Sequence, residues 1–214
     1  MGEITLVRHG QANSAATTEA DYDRLSDLGH EQAAWLGAWM RDHDRPYDVV
    51  LSGTLRRQRE TVAGMGYADA PTDDRLNEIA YYDLTHEMKQ VHGTDRTSAE
   101  DFVTHFPATL TAWRKGEIGG AEYYDDFRTR VRDVMAMAAQ PGRRVLCVSS
   151  GGIIAQAISD VLGLDIPQMA RVALPILNTS VHRIQVTDHG PLLTCYNSAP
   201  HLDTAARADQ RTFY

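Results

Sequence analysis

Cysteine is scarce in this chain: Cys147 and Cys195 are the two among 214 residues. Both lie in apolar runs, VLCV and LLTCY, as buried free thiols on strands do. Without a Cys-x-x-Cys pair, neither a zinc knuckle nor a redox dithiol is suggested. Long hydrophobic runs are missing as well. No window approaches the ~20 apolar residues that span a bilayer. MGEITLVRHG lacks the apolar stretch and small-residue cleavage site of a signal peptide. Met1-Gly2 opens like a myristoylation motif, but Leu6 stands where that motif wants Ser or Thr. A soluble cytoplasmic protein with no membrane partner is the expectation. Positive charge is also in deficit, with 21 Lys+Arg against 29 Asp+Glu and a formal net charge of −8. A broad nucleic-acid surface needs dense Lys and Arg to displace counterions, so no nucleic-acid partner is expected. A small anionic ligand stays open, because a few converging arginines can dominate one pocket. Internal repeats, low-complexity tracts and long linkers are absent, and 43% hydrophobic with 23% charged residues is ordinary for a globular protein. Residues 1–214 therefore read as a single domain.

What is present is a strand-then-helix pattern, repeated three times. ITLV (4–7), VVL (49–51) and RVLCVSS (144–150) are short, apolar and β-rich, as strands buried on both faces are. Each precedes a helical stripe. The first carries Ala33, Leu36, Gly37 and Met40, with Ser26 as N-cap; the second carries Leu55, Gln58, Val62 and Met65. The third carries Ile154, Ala157, Ile158, Val161 and Leu162. Such βα units predict a three-layer α/β/α sandwich with a mostly parallel central sheet. In the middle, Ser98-Ala99-Glu100-Asp101 reads as a capping box before Phe102, Phe106, Leu110 and Trp113, and Pro107 is expected to split or kink that stretch. Phe127, Val131, Val134, Met135 and Ala138 form another stripe, ended by Pro141-Gly142. His182, Ile184 and Val186 alternate on one strand, and 192–196 is its hairpin partner. The segment from about 79 to 121, poor in strand signal, reads as a lid-like insertion.

In parallel α/β sheets ligands bind beyond the carboxyl ends of the strands. Three polar bursts lie at three such ends: Arg8-His9-Gly10, the stretch from Ser52 to Arg59, and Ser149-Ser150-Gly151-Gly152. Folding brings together a histidine, several arginines, small hydroxyls and the N-terminus of a glycine-started helix. Arginine forks match phosphate oxygens, and a helix N-terminus offers free N–H groups to an anion. A neutral imidazole among such donors can attack phosphorus and form a phosphohistidine, which water then hydrolyses.

At this point a resemblance becomes specific. Leu6-Val7-Arg8-His9-Gly10-Gln11 resembles the R-H-G signature of the histidine phosphatase superfamily, the phosphoglycerate mutase-like fold. YDRLSDLGHEQAAWLG (22–37) is similar to that family's L-[ST]-x-x-G-x-x-Q-A helix entry, and residues 52–61 resemble its S-S-P-L-x-R-A-x-Q-T stretch. Arg75-Leu76-Asn77-Glu78 resembles its R-L-x-E segment, and Val145 to Ile154 its strand and glycine pair. The resemblance covers nearly the whole chain. It implies His9 as nucleophile, Arg8 and Arg57 as ligands of the phosphoryl oxygens, and Glu78 as the acid that protonates the leaving oxygen and then deprotonates water. Gln11 stands where a glutamate often follows R-H-G and is a polar support; Ser150 and Gly151 are further phosphate donors. Arg56 and Arg59 read as solvated neighbours.

One departure matters most. The family pattern V-x-H-G-G reads here Val148-Ser149-Ser150-Gly151-Gly152, so Ser150 replaces a second pocket histidine. Loss of one such donor costs about 2.7–4 kcal/mol unless another group compensates, so activity is expected to be reduced. His86 and His92, in the lid-like segment, are the candidates to compensate. Tyr81 and Tyr82 fit either the pocket mouth or the core. The implied function is metal-free and cofactor-free hydrolysis of a phosphomonoester, from a small phosphorylated metabolite or a phosphoprotein. The rival reading is a non-catalytic phospho-ligand or protein-binding module. A phosphoglycerate mutase is disfavoured, because mutases carry a stretch like N-E-R-H-Y-G where this chain reads Asn77-Glu78-Ile79-Ala80-Tyr81-Tyr82. Oligomeric state is not written in the pattern.

Overall fold

The computed structural model describes residues 1–13, 16, 18–94 and 99–213. Strand β1 (Gly2–Arg8) leads through the short helix α1 (Glu19–Tyr22) into α2 (Asp27–His43). Strand β2 (Val49–Ser52) is followed by α3 (Arg56–Gly64), a 3₁₀ turn at Asp74–Leu76, and three helices, α4 (Tyr81–His92), α5 (Ala99–Arg114) and α6 (Tyr124–Ala138). Strand β3 (Arg144–Ser149), helices α7 (Gly151–Leu162) and α8 (Ile166–Ala173), and the hairpin β4 (Val181–Thr187) and β5 (Gly190–Ser198) complete the main elements. The sheet order is β2-β3-β1-β4-β5. The pairs β2–β3 and β3–β1 are parallel, whereas β4 runs antiparallel to both β1 and β5. The sheet is thus mixed, with four of its five strands pointing the same way.

Strand alternation sorts the core into two layers. Ile4 and Leu6 of β1, with Val145 and Cys147 of β3, face a cluster built with α4 to α8. Val7, Leu146 and Val148 face the opposite cluster, with Leu36 and Met40 of α2 and Val62 and Met65 at α3. A period-2 strand buried on both faces produces this arrangement, and it makes the α/β/α sandwich. Helix α2 starts where expected, with Ser26 Oγ accepting the Gly29 N–H at 3.0 Å.

Three details differ from the sequence expectation. Of the two outcomes expected at Pro107, a split is excluded, because α5 runs unbroken through it. An interior proline costs ~3 kcal/mol. Phe102, Phe106, Leu110 and Trp113 on that helix are all buried, and burial stabilises by about 1.5–3 kcal/mol for each large apolar side chain. The stripe therefore outweighs the break. Leu162 ends α7 half exposed rather than in the core. Cys195 is only partly buried, whereas Cys147 is fully buried. Ser98, the first residue of the expected capping box, lies outside the described residues. In the 79–121 segment, α4 and α5 contribute Leu84, Met88 and the α5 stripe to the same core cluster as β1 and β3.

Strand register brings the polar bursts together. Arg8 pairs with Ser149 and Ser52 with Val148. Beyond the last ladder rungs, His9 donates its N–H to Ser149 O (2.9 Å) and Gly53 to Val148 O (3.1 Å). His9, Gly53 and Ser150 thus leave three adjacent strands at one sheet end.

Candidate active site

His9 is 2% exposed. Its Nδ1 lies 2.7 Å from the Gly10 carbonyl oxygen. A carbonyl only accepts, so Nδ1 carries the proton and Nε2 the lone pair. Burial holds the imidazole well below its ordinary pKa, with the Arg57 and Arg8 charges adding to the effect and the Gly10 hydrogen bond opposing it. The loop around His9 is held from several sides. Asn178 donates Nδ2 to His9 O (3.0 Å), and Gly10 donates its N–H to Thr61 Oγ1 (3.0 Å). A Cβ on Gly10 would fall 2.4 Å from Gly29 O, and one on Gly29 would fall 2.1 Å from Gln11 O. The two motif glycines therefore let the loop and the start of α2 touch backbone to backbone.

Arg8 is 8% exposed and donates Nη1 to Ile176 O; its Nε is buried with no hydrogen bond among the described residues. A Cβ on Gly151, the first residue of α7, would come 3.8 Å from that Nε, so the guanidinium lies beside the helix N-terminus. Arg57 is 1% exposed and bridges to Asp23 Oδ1 at 3.1 Å. Asp23 also accepts the backbone N–H groups of Arg56 and Arg57, capping α3, whose N-cap residue Leu55 has no acceptor on its side chain. Tyr22 lies under the Arg57 guanidinium (4.9 Å to the ring centre) and meets the His9 ring edge-on at 6.4 Å. Tyr22 and Asp23 escaped the sequence reading, since nothing local ties them to residues more than thirty positions away.

Glu78 accepts the Gly152 N–H on Oε2 (2.9 Å) and the Ile79 N–H on Oε1 (3.0 Å). Its carboxylate thus docks on the first turn of α7, where orphan N–H groups favour an anion. A Cβ at Gly152 would fall 2.3 Å from Glu78 Oε1, so the second glycine of the pair makes room for the carboxylate. Ser150 is fully buried and is the N-cap residue of α7; its Oγ accepts from Gln58 Nε2 at 2.8 Å. Gln58 was read as part of a helix face only. The one signal that marked it was a glutamine at the motif's alanine position.

The remaining candidates separate. Gln11 uses Oε1 to accept from Ser26 Oγ (2.7 Å), a support at the start of α2. Arg56 and Arg59 are exposed, Arg56 pairing with Glu60. His86 is exposed beside Gln90, and His92 pairs with Glu117 (3.1 Å). Tyr81 packs on Phe102 and Phe106, while Tyr82 is about two-fifths exposed. Among the described residues, no three His, Cys, Asp or Glu side chains cluster as metal ligands, and no helix is long and apolar enough to cross a membrane.

The model of the histidine phosphatase superfamily, branch 1, matches residues 4–199. A 2,3-bisphosphoglycerate-dependent phosphoglycerate mutase of Methylorubrum populi is 25% identical over 198 residues, covering 85% of this chain and 89% of its own. A solved phosphoserine phosphatase mutant from Entamoeba histolytica, in complex with phosphoserine, superposes with a TM-score of 0.67 at 19% identity, covering 94% of this chain and 100% of that one. A mycobacterial glucosyl-3-phosphoglycerate phosphatase complexed with VO3 gives 0.63 at 22% identity, over 92% and 98% of the two chains. These likenesses extend the agreement from five short motifs to the full fold. The chain belongs to branch 1 of the histidine phosphatase superfamily.

Proposed function

We propose that this protein hydrolyses a phosphomonoester through a phosphohistidine at His9. The observation that carries the reading is the buried imidazole of His9, which keeps its proton on the Gly10 side and lies within the fields of Arg8 and Arg57. Nε2 attacks phosphorus as the ester P–O bond breaks, and the leaving oxygen takes a proton from the Glu78 carboxyl. Water then attacks the phosphorus, the N–P bond breaks and returns its electron pair to Nε2, and Glu78 takes up the water proton. A positioned acid of this kind contributes about 10²–10⁴ in rate. Arg8, Arg57 and the Gly151 N–H at the start of α7 are the complement to phosphoryl oxygens.

Phosphoserine and 3-phosphoglyceric acid, named with the structural neighbours, open the substrate panel, followed by p-nitrophenyl phosphate and phosphopeptides. Rapid quench with ³²P-labelled substrate is expected to trap acid-labile, base-stable phosphate on the chain, and His9→Ala to lose both label and turnover while staying folded. An unlabelled chain that still turns over removes the phosphohistidine. A chain that binds phosphate but acquires neither label nor turnover favours the binding-module reading. The names of the curated relatives favour a second enzymatic reading, a mutase. Interconversion of 2- and 3-phosphoglycerate dependent on 2,3-bisphosphoglycerate, and faster than hydrolysis, would establish it. Turnover is expected to be unchanged by excess chelator.

A further inference from the structure

Gln58 crosses from α3 to the N-terminus of α7 while fully buried. Its carboxamide orientation follows from its partners. Nε2 is 3.1 Å from Leu76 O, a carbonyl that can only accept, and Oε1 receives the Leu55 N–H at 3.3 Å. The amide end facing Ser150 is therefore NH₂, and at 2.8 Å it donates to Ser150 Oγ. That bond occupies an acceptor site of the hydroxyl and leaves its single proton to be donated elsewhere. Among the described residues that proton meets no acceptor. Ser150 leaves β3 beside His9, precedes Gly151 at Arg8 and stands two residues from the Gly152 N–H that holds Glu78.

The surroundings are shaped for this side chain. A Cβ at Gly53 would fall 1.9 Å from Gln58 Oε1. Gly53, Gln58 and Ser150 stand where the resembling motifs carry serine, alanine and histidine, so three departures scattered over about a hundred residues meet at one point. A larger side chain at 58 and a smaller one at 150 exchange volume, and Gly53 clears the path between them.

We infer that Gln58 is a positioning residue: by donating to Ser150 Oγ it commits the Ser150 hydroxyl to donate to a phosphoryl oxygen, and the pair takes the place of the second pocket histidine. The inference rests on the proposed phosphoryl chemistry. A hydroxyl so oriented stabilises developing charge without reorganisation during the reaction.

The test is a double-mutant cycle on p-nitrophenyl phosphate hydrolysis and, in parallel, on orthovanadate binding by titration calorimetry. Ser150→Ala and Gln58→Ala are each expected to lower kcat by about 10–100-fold with little change in KM. In the Ser150→Ala background, Gln58→Ala is expected to change kcat by less than about twofold. Gln58→Met keeps the volume but removes the donor, so it is expected to behave like Gln58→Ala. A merely space-filling role would leave Gln58→Met near wild type. Ser150→His alone is expected to be slow, because the Gln58 amide fills the place the imidazole needs, and Gln58→Ala to restore it. Circular dichroism melts confirm folding throughout. Full additivity of Gln58→Ala and Ser150→Ala, or a fully active Gln58→Met, overturns the inference while leaving the function intact. A wild-type chain that neither turns over nor binds orthovanadate overturns both. A chain that binds without turnover lets the cycle in Kd decide Gln58 alone.

Discussion

Gly152 shows how a missing side chain can be the functional one. The Glu78 carboxylate sits where a Cβ of residue 152 would be, 2.3 Å from Oε1. Gly152→Ala is expected to push Glu78 off α7 and to lower turnover by about the 10²–10⁴ attributable to a positioned acid. A folded variant with wild-type kcat would separate Glu78 from the chemistry. His9 makes a second prediction. Burial and the two arginines favour its neutral form, so the proposed nucleophile stays unprotonated well below pH 6.5. The acid limb of kcat/KM is therefore expected to lie clearly below 6.5. A limb at the ordinary histidine value, absent from a His9-independent control reaction, contradicts this.

At the scale of elements, α3 depends on a carboxylate from outside its own sequence. Asp23 accepts the N–H groups of Arg56 and Arg57 and holds the Arg57 side chain, so one residue caps the helix and aims the proposed phosphate ligand. Asp23→Ala is expected to lower stability by about 1 kcal/mol through the lost cap. With Arg57 in its proposed role as phosphate ligand, Asp23→Ala is also expected to lower kcat/KM more than Arg56→Ala does, because Arg56 faces solvent. Equal kinetic effects for the two variants would show that Asp23 only caps. Helix α5 teaches a different lesson. Pro107 was legible as a break, but a break is a local preference, and the Phe102–Trp113 stripe carries more free energy than one missing N–H.

Across the whole molecule, buried histidines couple stability to pH. Burial pushes His182 down to about 3, with the Arg8 charge helping, and His201 down to about 4, with Arg207 helping. The unfolded chain binds protons on both below about 6.5 that the folded chain refuses, so stability falls as pH falls from 6.5 toward these values. At pH 5 each histidine is expected to cost about 2 kcal/mol relative to neutral pH. Melting temperature is therefore expected to drop between pH 7 and 5, and more shallowly in His182→Gln and His201→Gln. An unchanged melting temperature across that range contradicts the assignment.

The α/β/α sandwich was legible before folding. Strand-helix alternation and apolar stripes are short-range patterns, and short-range patterns survive in one dimension. The sequence also marked Arg8, His9, Arg57, Glu78 and Ser150, because each lies beside a strand end or inside a dense motif. Which neighbours surround the candidate site depends on how the chain packs. Asp23 and Tyr22 meet Arg57 although α2 and β2 intervene in the chain, Gln58 meets Ser150 across 92 positions, and His86 and His92 pair with Gln90 and Glu117. Such pairings are fixed by β-register and helix packing, and a polar side chain on a helix face carries no trace of the partner it will meet.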